Sequence, residues 1–276
     1  MYADAYLGLS TIASGKPGDG HVYLRRAVGR ARELGDEAAY LRVSAYAMAY
    51  LSSLSDQDLV ERLSEEFLRR PHAVGRPADL AVGLAAAGRR LFGRGEREAA
   101  EHAWRELNQL AEQTHDPIAI AHAASARSLG AFLDGHLDQA ASLGQTAMTL
   151  ANAMAVFTGQ RGPRLLLPQV LLYLGRASEL SGTEVPSSRP GRAGRAERAL
   201  FVSWLGHCEE ALEIRGGFAN IGDSDDRTAP WILAAARGGH SVRRRGNGRS
   251  ARRSAGSARK QATGHVFHHQ LRPAAG

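Results

Sequence analysis

Three histidines, His265, His268 and His269, are spaced so that imidazoles on a helix could share a metal ion. They stand in a Gly-, Arg- and Ser-rich stretch with no cysteine or carboxylate beside them, so they are read as residues of a polar segment rather than as ligands. The carboxylate pairs Glu65-Glu66, Glu209-Glu210 and Asp225-Asp226 have the right type for acid–base work, but none is tied to a His, Ser or Cys by a recognisable spacing. They read as solvated helix or loop residues. His207 and Cys208 are adjacent, which on a helix sends their side chains in different directions. Gly15-Lys16 carries the last two residues of a phosphate-cradling loop, yet Pro17 follows and Ser10 stands where the first glycine is needed. Trp104, Trp204 and Trp231 are expected to pack between helices rather than to form a ligand cage. The expectation is therefore no catalytic residue, no cofactor and no metal, in a chain that is not itself an enzyme.

Charge points to one region. The chain holds 35 Lys plus Arg and 28 Asp plus Glu, a net charge of +7. Ten of the basic residues and none of the acidic ones lie in residues 237–276, which leaves 25 basic against 28 acidic, a net of −3, in residues 1–236. Arg243-Arg244-Arg245 and Arg252-Arg253 could neutralise phosphates and give weak, salt-sensitive, non-specific nucleic-acid binding, but no aromatic residues are interleaved for stacking on bases. Cys208 is the single cysteine, so no intramolecular disulfide can form. The first residues include Asp4 and lack a basic leader, and no apolar run approaches the roughly 20 residues of a membrane span. A cytoplasmic protein with no membrane partner is expected.

What must position any functional residue is helix. With 43% hydrophobic and only 6% aromatic residues, and with Ala, Leu, Arg, Glu and Gly dominant, the composition suits helices packed through small side chains. Caps and breakers predict pairs over about 2–14 and 20–34, then 37–53 and 56–69, followed by 78–93, 96–114, 117–133 and 136–153. Asp36 and Ser55 suit N-caps, Gly35 and Pro71 suit stops, and Asp116-Pro117 reads as a capping aspartate before an N1 proline. Further helix is expected over 196–214 and 228–236.

One motif recurs. Gly95-Glu-Arg-Glu-Ala-Ala100 matches Gly135-His-Leu-Asp-Gln-Ala140 and Gly206-His-Cys-Glu-Glu-Ala211, with a degenerate copy, Gly175-Arg-Ala-Ser-Glu-Leu180, between them; the spacings are 40, 40 and 31 residues. The glycine makes the turn after a first helix, and the alanine lets the second helix press against the first. Gly88, twelve positions before Ala100, falls where a tetratricopeptide repeat keeps a small residue. The expected fold is all-α, tetratricopeptide-like αα-hairpin repeats forming a right-handed solenoid; a generic bundle of αα-hairpins is the alternative.

Several stretches resemble a family: RELGDEAAYLRVSAYA (32–47), RGEREAAEHAWRELNQLAEQTHDPIAIAHAASARSLGAFLDGHLDQAASLG (94–144), GRAERALFVSWLGHCEEALEI (194–214) and IGDSDDRTAPWIL (221–233). They are similar to the C-terminal helical region of bacterial signalling proteins that join an adenylate/guanylate cyclase domain, a P-loop ATPase domain and tetratricopeptide-like repeats. The helical arm of large LuxR-type ATP-dependent regulators is the related alternative. Either resemblance implies a non-catalytic scaffold or regulatory arm whose catalytic or DNA-reading domains lie elsewhere, and a stand-alone protein–protein interaction adaptor is the third reading. The expected partner is a protein or peptide on the concave face.

The domain organisation expected is a helical repeat array over 1–180, a linker or disrupted turn over 181–193, a further helical hairpin over 194–236, and a disordered basic tail over 237–276. A one-nucleotide shift in GC-rich coding DNA yields the tail's composition, so a frameshift near residue 237 is part of this expectation.

Overall fold

In the computed structural model the described residues are 1–14, 16–51, 54–153, 161–176, 179, 198–199, 202–203 and 206–216. The expectations for 181–193, for 228–236 and for the tail, with Trp204, Trp231, the three tail histidines and the arginine clusters, all lie outside them. The described residues belong to one compact unit, Met1–Gly239.

The chain is all-α, and no strand occurs among the described residues. Helices α1 (Tyr2–Ala13), α2 (Pro17–Leu34), α3 (Glu37–Tyr50), α4 (Gln57–Arg69), α5 (Pro77–Gly93), α6 (Arg97–Thr114), α7 (Pro117–Leu133) and α8 (Leu137–Ala153) follow the predicted boundaries closely. The reason is local chemistry. Asp36 accepts from Ala39 N at 3.0 Å, and Asp116 accepts from Ile118 N and Ala119 N at 2.8 and 3.1 Å. Proline occupies an N-terminal position of α2, α5 and α7, where its missing N–H costs nothing.

One expectation is corrected. The N-cap of α4 is Asp56, not Ser55, which sits inside a short 3₁₀ turn, Leu54–Asp56. Helix α9 (Arg161–Tyr173) falls within the helical array expected over 1–180, before the degenerate turn at Gly175; Pro163 falls in its first turn, and Pro168 is carried inside it. The helix expected over 196–214 is interrupted at Gly206, where the recurring motif places a turn, and α10 (Cys208–Gly216) follows.

That interruption belongs to a recurring turn. Gly95, Gly135, Gly175 and Gly206 all have positive φ, at 84°, 79°, 73° and 85°. Each closes the preceding helix with the same two backbone bonds. Gly95 N reaches Phe92 O and Glu96 N reaches Leu91 O; Gly135 and His136 reach Phe132 and Ala131; Gly175 and Arg176 reach Leu172 and Leu171; Gly206 and His207 reach Ser203 and Val202. This is the Schellman geometry, which favours a residue without Cβ at the left-handed position.

The helices recur at fixed intervals. Helices α3, α5 and α7 begin at 37, 77 and 117, and α2, α4, α6 and α8 at 17, 57, 97 and 137, in steps of 40 residues; α1, from 2, and α9, from 161, depart from the step by a few residues. Helix α5 packs on its partner α6 and on both α3 and α7, while α6 also touches α7; the same set of contacts links α3 with α4, α1 and α5, and α7 with α8, α5 and α9. An odd-numbered helix in the middle of such a stack is covered on several sides. Residues 79–88 of α5 are accordingly all buried, whereas α4 and α6 bury one stripe and expose the other.

Within the first four hairpins one close contact recurs at positions 40 residues apart. A Cβ on Gly8 would come within 2.9 Å of Leu24, and one on Gly88 within 2.1 Å of the Trp104 ring. At the corresponding places Ser64 Oγ donates to Met48 Sδ at 3.2 Å, and a Cβ on Gly144 would stand 3.2 Å from Ser128 Oγ. Every pair holds a small residue; the large one, Leu24, Met48 or Trp104, comes from alternate helices, and in the fourth pair both residues are small.

Ala100 and Ala140 are fully buried, as the motif requires of its seam residues. Replacing Ala140 with Phe should overpack the α7–α8 seam and lower stability by about 1–3 kcal/mol. An unchanged thermal melt would place Ala140 outside the seam.

Candidate functional site

Buried carboxylates, absent from the sequence expectations, organise the odd-numbered helices. Asp79, in the first turn of α5, is 4% exposed, and it accepts from Arg42 Nε at 2.7 Å and from Tyr46 OH at 3.1 Å, both on α3. The Arg42 guanidinium lies 4.9 Å from the centre of the Tyr2 ring on α1. Burial, then the negative charge of Asp79 beside it, raises the Tyr46 phenol well above its ordinary range, so it stays a proton donor. Three successive hairpins thus meet at one cluster, with Tyr6 (61% exposed) and Arg76 (side chain 66% exposed, 4.0 Å from Asp79) at its rim. Tyr2 and Arg42, and likewise Tyr6 and Tyr46, are one 40-residue step apart.

Two similar anchors sit nearby. Asp56 accepts from Arg25 at 2.6 Å, with His21 Nδ1 at 3.4 Å; Asp4 accepts from Arg30 at 2.5 Å, with the terminal ammonium at 3.4 Å. Even-numbered helices are joined by a ladder of their own. Arg32 on α2 donates to both oxygens of Glu66 on α4, at 2.9 and 3.0 Å, and Tyr40 OH donates to the same carboxylate. One step later His72, in the loop after α4, meets Glu106 on α6 at 2.5 Å. Glu66 is therefore not the merely solvated residue expected. Burial alone would raise its pKa, but the bonds from Tyr40 and Arg32 hold it below the ordinary carboxylate range.

The His72–Glu106 pair predicts a pH dependence. Burial disfavours the His72 cation, yet the bond to Glu106 and its negative charge outweigh this and raise the His72 pKa; the bond from His72 lowers that of Glu106. A raised histidine stabilises the fold below its unfolded-state pKa, and this contribution is lost as pH rises through the folded-state value; a lowered carboxylate does the reverse on the acid side. The pair's contribution should thus be greatest between the ordinary carboxylate and histidine ranges. Thermal melts of wild type and His72→Gln across pH 4 to 9 should differ most near pH 5–6 and converge above pH 8, by about 1 kcal/mol at most. A constant difference across that range would contradict it.

The other sequence candidates fall apart in space or stay structural. Trp104 is 7% exposed and stacks on Phe92 with ring centres 6.1 Å apart, which is the packing role expected of it. Glu65 is exposed, 3.8 Å from Arg69 and 3.9 Å from Arg94. Glu210 accepts from Arg198 at 2.7 Å and has His207 at 3.7 Å, while Cys208 is simply the first residue of α10. No group of three or more potential metal ligands forms among the described residues. None of the described helices is long and apolar enough to cross a membrane.

A cleft of about 540 Å³ opens between α8 and α9, lined by Ser142, Gln145, Thr149, Leu167, Leu171 and Arg176. Its guanidinium is engaged by Glu179 at 2.6 Å and lies 3.5 Å from Asp138. Chemically, the Asp79 cluster offers aromatic faces and a neutralised ion pair, and the cleft offers hydroxyls and amides over an apolar floor.

The signal that could have located the buried carboxylates is their separation from their partners. Arg25–Asp56, Arg42–Asp79 and Tyr46–Asp79 are 31, 37 and 33 residues apart, each linking neighbouring hairpins. Comparison with known proteins adds no relative: no family model matches the chain, and neither a curated protein nor a solved structure does.

Proposed function

We propose that the chain is a non-catalytic scaffold of tetratricopeptide-like hairpins wound as a right-handed solenoid, which takes a protein or peptide on the face lined by the odd-numbered helices. The observation that carries this reading is the 40-residue recurrence of helix starts from residue 17 to 137, with the same glycine turn between paired helices at Gly95, Gly135, Gly175 and Gly206. Stacks of this kind bury each hairpin only against its neighbours and present an extended surface to partners. Tyr2, Tyr6 and Arg76 around the Asp79 cluster suit such a surface, because tyrosine and arginine supply contact area with directed polar ends. The resemblance to the helical arms of cyclase–ATPase signalling proteins, or of LuxR-type regulators, favours a regulatory role in which catalysis belongs to other domains.

The test is selection of a displayed peptide library on the purified chain. Selected peptides should lose about tenfold or more in affinity for Tyr6→Ala and Arg76→Glu, and should bind unchanged to Glu112→Ala on exposed α6 surface. Peptides indifferent to the first two substitutions would remove the Asp79 cluster as the site. Conversion of ATP or GTP by the purified chain would overturn the non-catalytic reading.

A further inference from the structure

From α3 to α8 the chain sorts its charge by helix. The charged residues of α3, α5 and α7 are Glu37, Asp79, Arg42, Arg89, Arg90 and Arg127, a net of +2, whereas α4, α6 and α8 hold nine Asp plus Glu against four Arg, a net of −5. The first hairpin stands outside this division, with Asp4 alone on α1 and a net of +2 on α2. Both acids of the odd-numbered set are already matched, Glu37 by Arg70 and Asp79 by Arg42. A partner lying along α3, α5 and α7 therefore meets positive charge, and α4, α6 and α8 repel the same partner if it is acidic.

The Asp79 cluster localises this excess. One carboxylate there serves two guanidiniums, since its Oδ2 accepts from Arg42 Nε at 2.7 Å and lies 4.0 Å from Arg76 Nε, too far for a hydrogen bond. Its Oδ1 is taken by Tyr46 at 3.1 Å, so Asp79 has little left to offer either cation. A guanidinium carries five N–H donors. Arg42 uses only its Nε–H on Asp79, and its terminal nitrogens, like the whole head of Arg76, make no hydrogen bond among the described residues. Asp79 and the Tyr2 ring, 4.9 Å away, hold Arg42 in place with its side chain 18% exposed, so its remaining donors are fixed at the edge of the cluster. Arg76 stands beside them, mostly in solvent. It is also the N-cap residue of α5 and makes no side-chain cap bond, so the positive end of that helix adds to the two guanidiniums. A second carboxylate placed there would complete the match of charges and take paired N–H donors in the planar geometry that arginine provides.

We propose that the segment bound on the inner face is an acidic peptide, one Asp or Glu side chain of which sits between Arg42 and Arg76 while its neighbours pack on Tyr2 and Tyr6. The proposal rests on the scaffold reading above and adds to it the charge of the ligand.

The test uses three displayed peptide pools that share the same apolar and aromatic positions and carry Glu, Gln or Lys at the others, each panned on the full chain. Wild type should retain the Glu pool about tenfold or more over the Gln pool, and the Lys pool least of all. Arg76→Glu should keep its circular dichroism spectrum, because Arg76 is mostly in solvent, yet retain the Glu pool about tenfold less and the Lys pool more than wild type does. Ten basic residues in 237–276 attract acidic peptides whatever stands at position 76, so the comparison with Arg76→Glu decides. Retention of the Glu pool should also fall with added salt more steeply than that of the Gln pool. Equal retention of the Glu and Gln pools, or a preference for Lys, with binding lost in Tyr6→Ala, would overturn the acidic ligand and leave the scaffold reading standing. A Glu preference unchanged in Arg76→Glu would put the acid elsewhere and overturn the proposal as well. Retention of no pool by wild type would overturn both.

Discussion

Replacing Arg42 with Ala should destabilise the fold by about 3–5 kcal/mol, because it leaves the Asp79 carboxylate buried without its principal counter-charge. Asp79 is 4% exposed and holds Arg42 at 2.7 Å; Tyr46 can still donate one neutral bond, and Arg76, mostly in solvent at 4.0 Å, is too hydrated to replace the lost ion pair. The loss should be cooperative, since the cluster joins α1, α3 and α5 and cannot fail in one hairpin alone. Removing the carboxylate together with its partner should be much milder. Arg42→Met with Asp79→Leu exchanges the ion pair for apolar packing of similar shape, and should recover more than half of the stability lost in Arg42→Ala. Urea unfolding followed by circular dichroism measures both. Equal losses in the single and double variants would mean that the cluster matters through shape and not through charge.

The second large effect concerns Gly88. A Cβ there would stand 2.1 Å from Trp104 Nε1, so Gly88→Met should drive the indole off its place against Phe92 and cost at least the upper end of about 1–3 kcal/mol. The second hairpin carries Met48 and Ser64 at the equivalent positions, in contact at 3.2 Å. Gly88→Met combined with Trp104→Ser should therefore be more stable than Gly88→Met alone, because the large residue has only moved to the other helix. Trp104→Ser alone should leave a cavity and lose stability in its turn. The coupling between the two substitutions should be stabilising by about 1–3 kcal/mol in a double-mutant cycle. Additive losses would show that the two pairs only happen to fall 40 residues apart.

These pairs also explain why the repeat was legible in one half of the chain and hidden in the other. Helix boundaries could be read because they rest on local chemistry: Asp36 and Asp116 cap, Pro117 starts, and Gly95 and Gly135 turn, each within a few residues of what it controls. The 40-residue step was visible from Gly95 onward because the turn there keeps its glycine. It was invisible around residue 55, where Ser55 takes the place of the glycine inside a 3₁₀ turn and Asp56, at the N-cap position of α4, turns its carboxylate to Arg25 instead of capping. Type is also scrambled in the core, since Gly8–Leu24, Met48–Ser64 and Gly88–Trp104 preserve the pairing of large with small rather than either residue, and Ser128–Gly144 pairs two small ones. Helix α9 lies inside the expected array but its bounds were not legible, since Pro163 and Pro168 blur the local signal, whereas packing against α8 and α7 favours helix. The Asp79 cluster has no local signature in the sequence, only the separation of its members by about one repeat step. An aspartate two residues after Pro77 looks like an ordinary first-turn acid, and its partners lie 37 and 33 residues away.

The most direct test of a stack of equivalent 40-residue hairpins is to remove one. Deleting residues 77–116 joins Arg76 to Pro117, one step on from the natural Arg76–Pro77 junction, and brings Phe67 against Ala123 in place of Gly83. If each hairpin is stabilised only by itself and its neighbours, the shortened chain should fold. It should keep the helical circular dichroism spectrum and a single cooperative melt, at a lower midpoint because one hairpin and one interface are gone, Ala119 stands where Asp79 accepted from Arg42 and Tyr46, and Ala123 adds a methyl beside Phe67. A shortened chain that is unfolded or aggregated, while an equally long deletion out of phase by half a step behaves no worse, would contradict the equivalence of the hairpins and with it the scaffold reading.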